Sequence, residues 1–173
     1  MKKMTALFGV VLVLTLFTGC RESTSKPQNA QANLIEPCDL ISKVDAQELM
    51  GEPLKDAENK ENKAVGQKFC TYNAVNDDSF SLFQISITQQ AFMPSDGLSP
   101  KSIYETLKAN FPEGVKVDGV GADAFIAPPG LHLIKDEYYI TIAVGNSDDP
   151  KNRAILKAAG EKALQNLEKF THK

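Results

Sequence analysis

The stretch Leu131-His132-Leu133-Ile134-Lys135-Asp136-Glu137-Tyr138-Tyr139-Ile140-Thr141-Ile142-Ala143-Val144 decides the architecture. Ile140, Ile142 and Val144 alternate with Tyr139, Thr141 and Ala143, the two-residue period of a strand with one buried face. Leu131 to Lys135 precedes it, and the charged pair Asp136-Glu137 falls between, so the two segments are expected to fold back as a hairpin. The pair lacks the glycine that such turns favour. Upstream, Phe83, Ile85 and Ile87 alternate with Gln84, Ser86 and Thr88 in the same way. Shorter strands are expected at Phe69 to Asn73, Val115 to Asp118 and Asp123 to Ala127.

Helix signals flank these strands. Ser42 can cap a helix, Asp45 stands three residues on as in a capping box, and Gly51 is placed to end it, with Val44, Ala46, Leu49 and Met50 expected toward the core. Ser99-Pro100 opens a second helix, with proline at the first helical position, where its missing N–H costs nothing. Ile103, Tyr104, Leu107 and Phe111 follow at helical spacing, and Pro112 stops it. Asp149-Pro150 opens the last helix, which carries Leu156, Ala163, Leu167 and Phe170 on one stripe. Helix, short strand, glycine and two longer strands describe residues 39 to 90, and the same order describes residues 100 to 145. The expected fold is α+β: an antiparallel sheet packed by helices, with a pseudo-duplicated helix–strand–strand–strand unit and a C-terminal helix.

The first residues carry an address. Lys2 and Lys3 precede an apolar run from Ala6 to Phe17 that is too short to span a bilayer as a stable helix. The run ends in Phe17-Thr18-Gly19-Cys20, which resembles the lipobox of bacterial lipoproteins, with Phe17 where that pattern usually has Leu. The resemblance implies cleavage before Cys20 and acylation, by palmitate among other chains, of that cysteine; more than one chain is needed for stable anchoring. Arg21, rather than Asp, follows the cysteine, which favours the outer membrane, facing the periplasm, in a Gram-negative host. Residues 21 to 33 hold no large apolar side chain, and such a stretch is expected to be a tether. The chain therefore divides into a signal peptide (1–19), a lipidated tether (20–33) and one globular domain (34–173). Cleavage removes Lys2 and Lys3, leaving 17 basic against 22 acidic side chains and a net charge of −5. That balance argues against nucleic acid or an anionic lipid surface as the main partner.

With Cys20 assigned to lipid, Cys38 and Cys70 form a pair in an oxidising compartment. A structural disulfide is the leading reading. Redox-active or metal-binding cysteines are the alternatives, and the separation of 32 residues lacks the close spacing that either uses.

Pro37-Cys38-Asp39-Leu40-Ile41-Ser42, then Ala46 and Leu49-Met50-Gly51-Glu52-Pro53, then Phe69-Cys70-Thr71-Tyr72, resembles a group of small secreted bacterial lipoproteins. They share Cys-x-Leu-(Leu/Ile)-(Ser/Thr), an Ala-rich helix, Gly-x-Pro and a later Cys-x-Tyr. The resemblance covers residues 37 to 72, and more loosely Gly119 to Phe125 with the following hairpin. It implies the disulfide and a sheet sandwiched by helices, as in a fold shared by a small photosystem II subunit and a nuclear-transport factor. It implies no catalytic residue.

Motifs that suggest chemistry have blander readings. Gly119-Val120-Gly121-Ala122-Asp123-Ala124 superficially fits a dinucleotide fingerprint, but Pro128-Pro129-Gly130 soon after rules out the helix N-terminus that would hold a pyrophosphate. A glycine turn into a strand is expected instead. Ser23-Thr24-Ser25-Lys26 matches a nucleophile motif of penicillin-binding proteins but falls in the tether. His132 is expected on the solvent face of its strand or under a helix, and His172 lies at the terminus, so the two supply no zinc site. Asn76-Asp77-Asp78 and Asn146-Ser147-Asp148-Asp149 group oxygen ligands without the calcium-loop spacing; solvation and helix capping are the expected roles. Tyr138, Tyr139, Phe92-Met93 and Phe125 are read chiefly as core, with an apolar ligand groove as the second reading.

No catalytic, cofactor-binding or metal-ligating residue is nominated. The residues point to a non-enzymatic accessory or binding module of the cell envelope, held to the membrane through Cys20 and meeting a protein or a small apolar ligand. The alternatives are an enzyme or enzyme inhibitor without a recognisable motif, and a structural envelope component.

Overall fold

The computed structural model describes residues 34–76, 78 and 81–171. Two helices open the domain, α1 (Pro37–Leu40) and α2 (Lys43–Met50). Strands β1 (Glu58–Asn62), β2 (Gln67–Asn73) and β3 (Leu82–Gln89) follow, then helix α3 (Pro100–Asn110). Strands β4 (Val115–Lys116), β5 (Asp123–Ala127), β6 (Gly130–Lys135) and β7 (Tyr138–Ala143) complete the sheet, and helix α4 (Pro150–Thr171) closes the chain. All seven strands form one antiparallel sheet in the order β1-β2-β3-β7-β6-β5-β4. The fold is α+β, with the predicted hairpin β6–β7 in register from Lys135 opposite Tyr138. Asp136 supplies the positive φ of 53° that glycine would normally provide, a conformation Asp tolerates better than most residues.

The predicted caps form. Asp45 N–H donates to Ser42 Oγ at 3.2 Å, and Ser42 N–H donates back to Asp45 Oδ2 at 3.1 Å, closing the capping box of α2 before Gly51 ends it. Ser99 caps α3 through Ser102 N–H at 3.2 Å. Asp149 Oδ1 accepts from Lys151 N–H at 2.7 Å at the head of α4.

In the apolar strands alternation sets the facing, but the two ends of the sheet use it differently. One face packs Phe83, Ile85, Leu131, Leu133, Ile140 and Ile142 against Leu156, Ala159, Ala163 and Leu167 of α4 and against Leu40, Ile41 and Ala46. On the opposite face, β2 and β3 carry a hydrogen-bonded polar layer, Gln67 to Ser86 and Gln84 to Thr71, and Ser86 and Thr88 are buried there although the alternation predicts a solvent face. Over β5–β7 that same face is buried as well. Helix α3 lies on it, and Tyr104 joins Phe125, Ala127, Ile134 and Tyr139 in a second apolar cluster. A single buried face is therefore wrong for the hairpin, whose polar-looking positions lie under α3. The repeat of strand order is visible in β1-β2-β3 meeting β5-β6-β7 at the β3–β7 seam. It stops at the helices: α2 packs on the α4 side and α3 on the other.

Two core assignments are corrected. Val44 is 70% exposed, because it stands about 200° around the helix axis from the fully buried Ala46 and cannot share its face. Phe170 is 41% exposed, because a helix of 22 residues is about 33 Å long and overruns a sheet whose strands span about 20 Å. Strand β1, with the sequence Glu-Asn-Lys-Glu-Asn, has no apolar alternation and is exposed throughout, so pattern alone does not reveal it. Its charges suit an edge that must not pair with another chain. The strand expected at Val115 to Asp118 is only two residues long, although Val117 N–H still reaches Ala124 O at 3.0 Å.

Candidate functional site

The chain enters the domain at one end of the sheet and is fastened there. Gln89, at the last position of β3, is buried; its side-chain amide accepts from Ile35 N–H and donates to Ile35 C=O, each at 2.9 Å. This satisfies a backbone unit that no strand pairs. Next to it the ammonium of buried Lys68 bonds the Glu36 carboxylate, sits 3.3 Å from Glu61 and lies 5.3 Å over the Phe92 ring. Burial pulls the Lys68 pKa down, but the two carboxylates outweigh it and hold the group above its ordinary value. One turn on, Cys38 is bonded to Cys70 of β2, with Cα atoms 5.4 Å apart. Cys70 is fully buried, which removes it from thiol exchange and favours the structural reading over the redox one.

At the opposite end of the sheet the loops leave a cleft of about 340 Å³. Its apolar walls are Phe111 and Pro112 from the end of α3, Val115 of β4, Ile126 and Ala127 of β5, and Pro128. Ser147, Asp148 and Arg153 form its polar rim. The register places it there: Ala127 pairs with Gly130, Leu131 with Ile142, and Ile142 with Ile85, near the start of β3, whereas Ile35 is held at the end of β3.

His132 lies behind two walls of this cleft. It is 2% exposed and lies between the rings of Phe125, 4.8 Å away and nearly parallel, and Phe111 at 6.4 Å. Its Nε2 stands 3.3 Å from Pro128 O, so Nε2 carries the proton and donates; Nδ1 then accepts from the Tyr139 hydroxyl at 2.6 Å. Burial lowers the imidazole pKa, against a smaller opposing effect of the Pro128 and Ala127 backbone, and the ring is neutral. Both Phe111 and Pro128, two walls of the cleft, are thus held by one histidine. The sequence leaves its facing open, and the structure places it under α3.

The rim is equally fixed. Asn146 Oδ1 accepts from Asp148 N–H at 3.0 Å, an Asx turn repeated at Asn76 and Asp78 in the other loop at this end of the sheet. Arg153 Nε donates to Ser147 O at 2.8 Å, and its Nη2 reaches Asp148 Oδ1 at 3.2 Å. The acidic loop therefore spends its oxygens on turns, a cap and an arginine. Among the described residues no group of three or more His, Cys, Asp or Glu side chains is placed to hold a metal.

Other sequence candidates do not converge. Gly119, with φ 82°, and Gly121, with φ 69°, form the expected turn into β5; a side chain at Gly121 would come 2.8 Å from Ile134 O. Tyr138 and Tyr139 point to opposite faces of the sheet, so the groove proposed for them with Phe92, Met93 and Phe125 does not exist. Asp123 pairs with Lys108 beside a separate cleft that runs along α3 and is bordered by Lys101, Tyr104 and Ile134. There the buried Tyr104 hydroxyl approaches Asp123 without good hydrogen-bonding geometry, and burial followed by the Asp123 charge pushes its pKa up. Cys20, Ser23 to Lys26, Asp77 and His172 lie outside the described residues. Sequence reasoning missed Arg153 and Phe111 as cleft residues, and Gln89 as a clamp. Phe111 was legible only as core, and Arg153 only as one more charge on an amphipathic helix. Among the described residues no helix is long and apolar enough to cross a membrane. No protein-family model, curated protein or solved structure matches the chain.

Proposed function

We propose that this protein is a cell-envelope lipoprotein, cut before Cys20 and held by acyl chains on that cysteine, whose domain is a non-enzymatic binding module. In a Gram-negative host Arg21 favours the outer membrane, with the domain in the periplasm. The observation that carries this reading is the polarity of the domain. The chain enters at Ile35, clamped by Gln89 at one end of the sheet, and the apolar cleft opens at the other end. Ala127 and Gly130 lie level with Ala143 and Gln84, and five residues along β3 separate Gln84 from Gln89, about 17 Å of strand. A tether attached at the first end leaves the second facing outward. The apolar run before Cys20 and the likeness of residues 37–72 to small secreted lipoproteins support the anchor. The cleft is apolar with a few fixed polar groups, the composition of sites for small ligands.

The anchor is tested with Cys20→Ser. Wild type should incorporate labelled palmitate and sediment with membranes, and the variant should lose the label and appear soluble or unprocessed. Equal labelling of both proteins would sink the lipid anchor.

A further inference from the structure

We propose that the cleft at the far end of the sheet takes a small amphiphile of about ten non-hydrogen atoms in all, an apolar body ending in a carboxylate, and that Arg153 reads the carboxylate. This deepens the binding reading above and rests on it. The size follows from the volume: about 340 Å³ equals the liquid volume of about eleven water molecules. The apolar body follows from the walls, where Phe111, Val115, Ile126 and Pro128 offer carbon surface backed by the His132 stack.

The headgroup follows from how Arg153 is held. A guanidinium has two hydrogen-bonding edges. The edge made of Nε–H and one Nη2–H is occupied by Ser147 O and Asp148 Oδ1. These contacts fix the plane of the group. The end-on edge, Nη1 with the second Nη2–H, carries no partner among the described residues, and two parallel N–H donors there match the two oxygens of a carboxylate. Because the guanidinium is already oriented, the guest pays little ordering entropy for the bidentate contact. Asp148 and Glu113 also border the cleft; both are exposed, and Asp148, 86% exposed, already pairs with Arg153, so the guest meets one free cationic edge beside a hydrated carboxylate. An ammonium has no acceptor for the open donor edge, and an alcohol could engage only one donor.

The test uses octanoate, octan-1-ol and octylamine with the intact protein in phosphatidylcholine nanodiscs, with empty discs as the blank. Calorimetry gives affinity, and the backbone amides of Gly114, Val115 and Asp148 report the site. Octanoate should saturate one site, shift those amides and bind at least tenfold tighter than octan-1-ol or octylamine. Arg153→Gln should remove the octanoate advantage while leaving octan-1-ol binding, which also shows that the cleft is still formed; Arg153→Lys should restore only part of it. Equal binding of octanoate and octan-1-ol to wild type, or an Arg153→Gln variant that still prefers octanoate, would overturn the carboxylate assignment and leave the cleft as a plain apolar site. No binding of any of the three, with the amides unmoved, would overturn the binding function as well.

Discussion

His132 ties the walls of the cleft to the pH dependence of the fold. A neutral imidazole buried between Phe111 and Phe125 resists protonation, because the cation would lose its hydration with no carboxylate to replace it. Its pKa in the folded protein is therefore below the ordinary 6.5. As pH falls through 6.5 the unfolded chain takes a proton that the native ring refuses, so the unfolded state binds more protons and native stability drops. Above that pH the contribution is complete. The denaturation midpoint should accordingly be lower at pH 5.5 than at pH 7.5, with carboxylate titration still below the window. His132→Gln should flatten part of that slope when the two midpoints are compared by urea unfolding; an unchanged slope would show that the ring is free to charge in place. The sequence displays this histidine at a strand position opposite Leu131 and Leu133. It cannot display that α3, the helix Pro100–Asn110, covers it.

At the scale of elements, the hairpin β6–β7 was legible and its start was not. Gly130 begins β6, and a Cβ built there would lie 2.1 Å from Ile142 O and 3.0 Å from Ala143 Cα, both backbone atoms of the partner strand. Neither atom can step aside without breaking the ladder. Gly130→Ala should therefore destabilise the domain by about 3 kcal/mol, the upper part of the range for overpacking, measured as a loss of unfolding free energy in urea. A loss under 0.5 kcal/mol, about the size of ordinary surface substitutions, would mean that the strand end shifts freely. Helices α2 and α3 were legible to the residue at their caps, because Ser-x-x-Asp and Ser-Pro are local signals. Strand β1 was not, because a polar edge strand is specified by the strand it pairs with.

For the molecule as a whole, the Cys38–Cys70 bond ties the entry segment to the middle of the sheet across 32 residues. On the loop-entropy model closing that loop stabilises the fold by about 3–4 kcal/mol. The double variant Cys38→Ala/Cys70→Ala should lose about that much in urea unfolding, and thiol titration of the unfolded wild type without reductant should find neither sulfur free. Two reactive thiols in the wild type would return the pair to a redox role. The bond, the Gln89 clamp and the Lys68–Glu36 contact act on the same few residues, so the point where the chain enters is fastened in three ways. A pull transmitted along a tether would arrive there.

The sequence by itself determined the α+β class, the capped helices, the hairpin and the pairing of the two internal cysteines. Each is written in local signals: a two-residue or helical period, a cap within three residues, or a count of cysteines. Only the tertiary structure decided that both faces of the hairpin are buried, that α2 and α3 lie on opposite sides, and that Phe111, Pro128 and Arg153 border one cleft at the end remote from Ile35. Those residues come from three separated segments, and their meeting depends on sheet order and on which face each helix covers. Periodicity fixes which side of a strand is apolar; what lies against that side is set by long-range packing, for which the linear pattern holds no term.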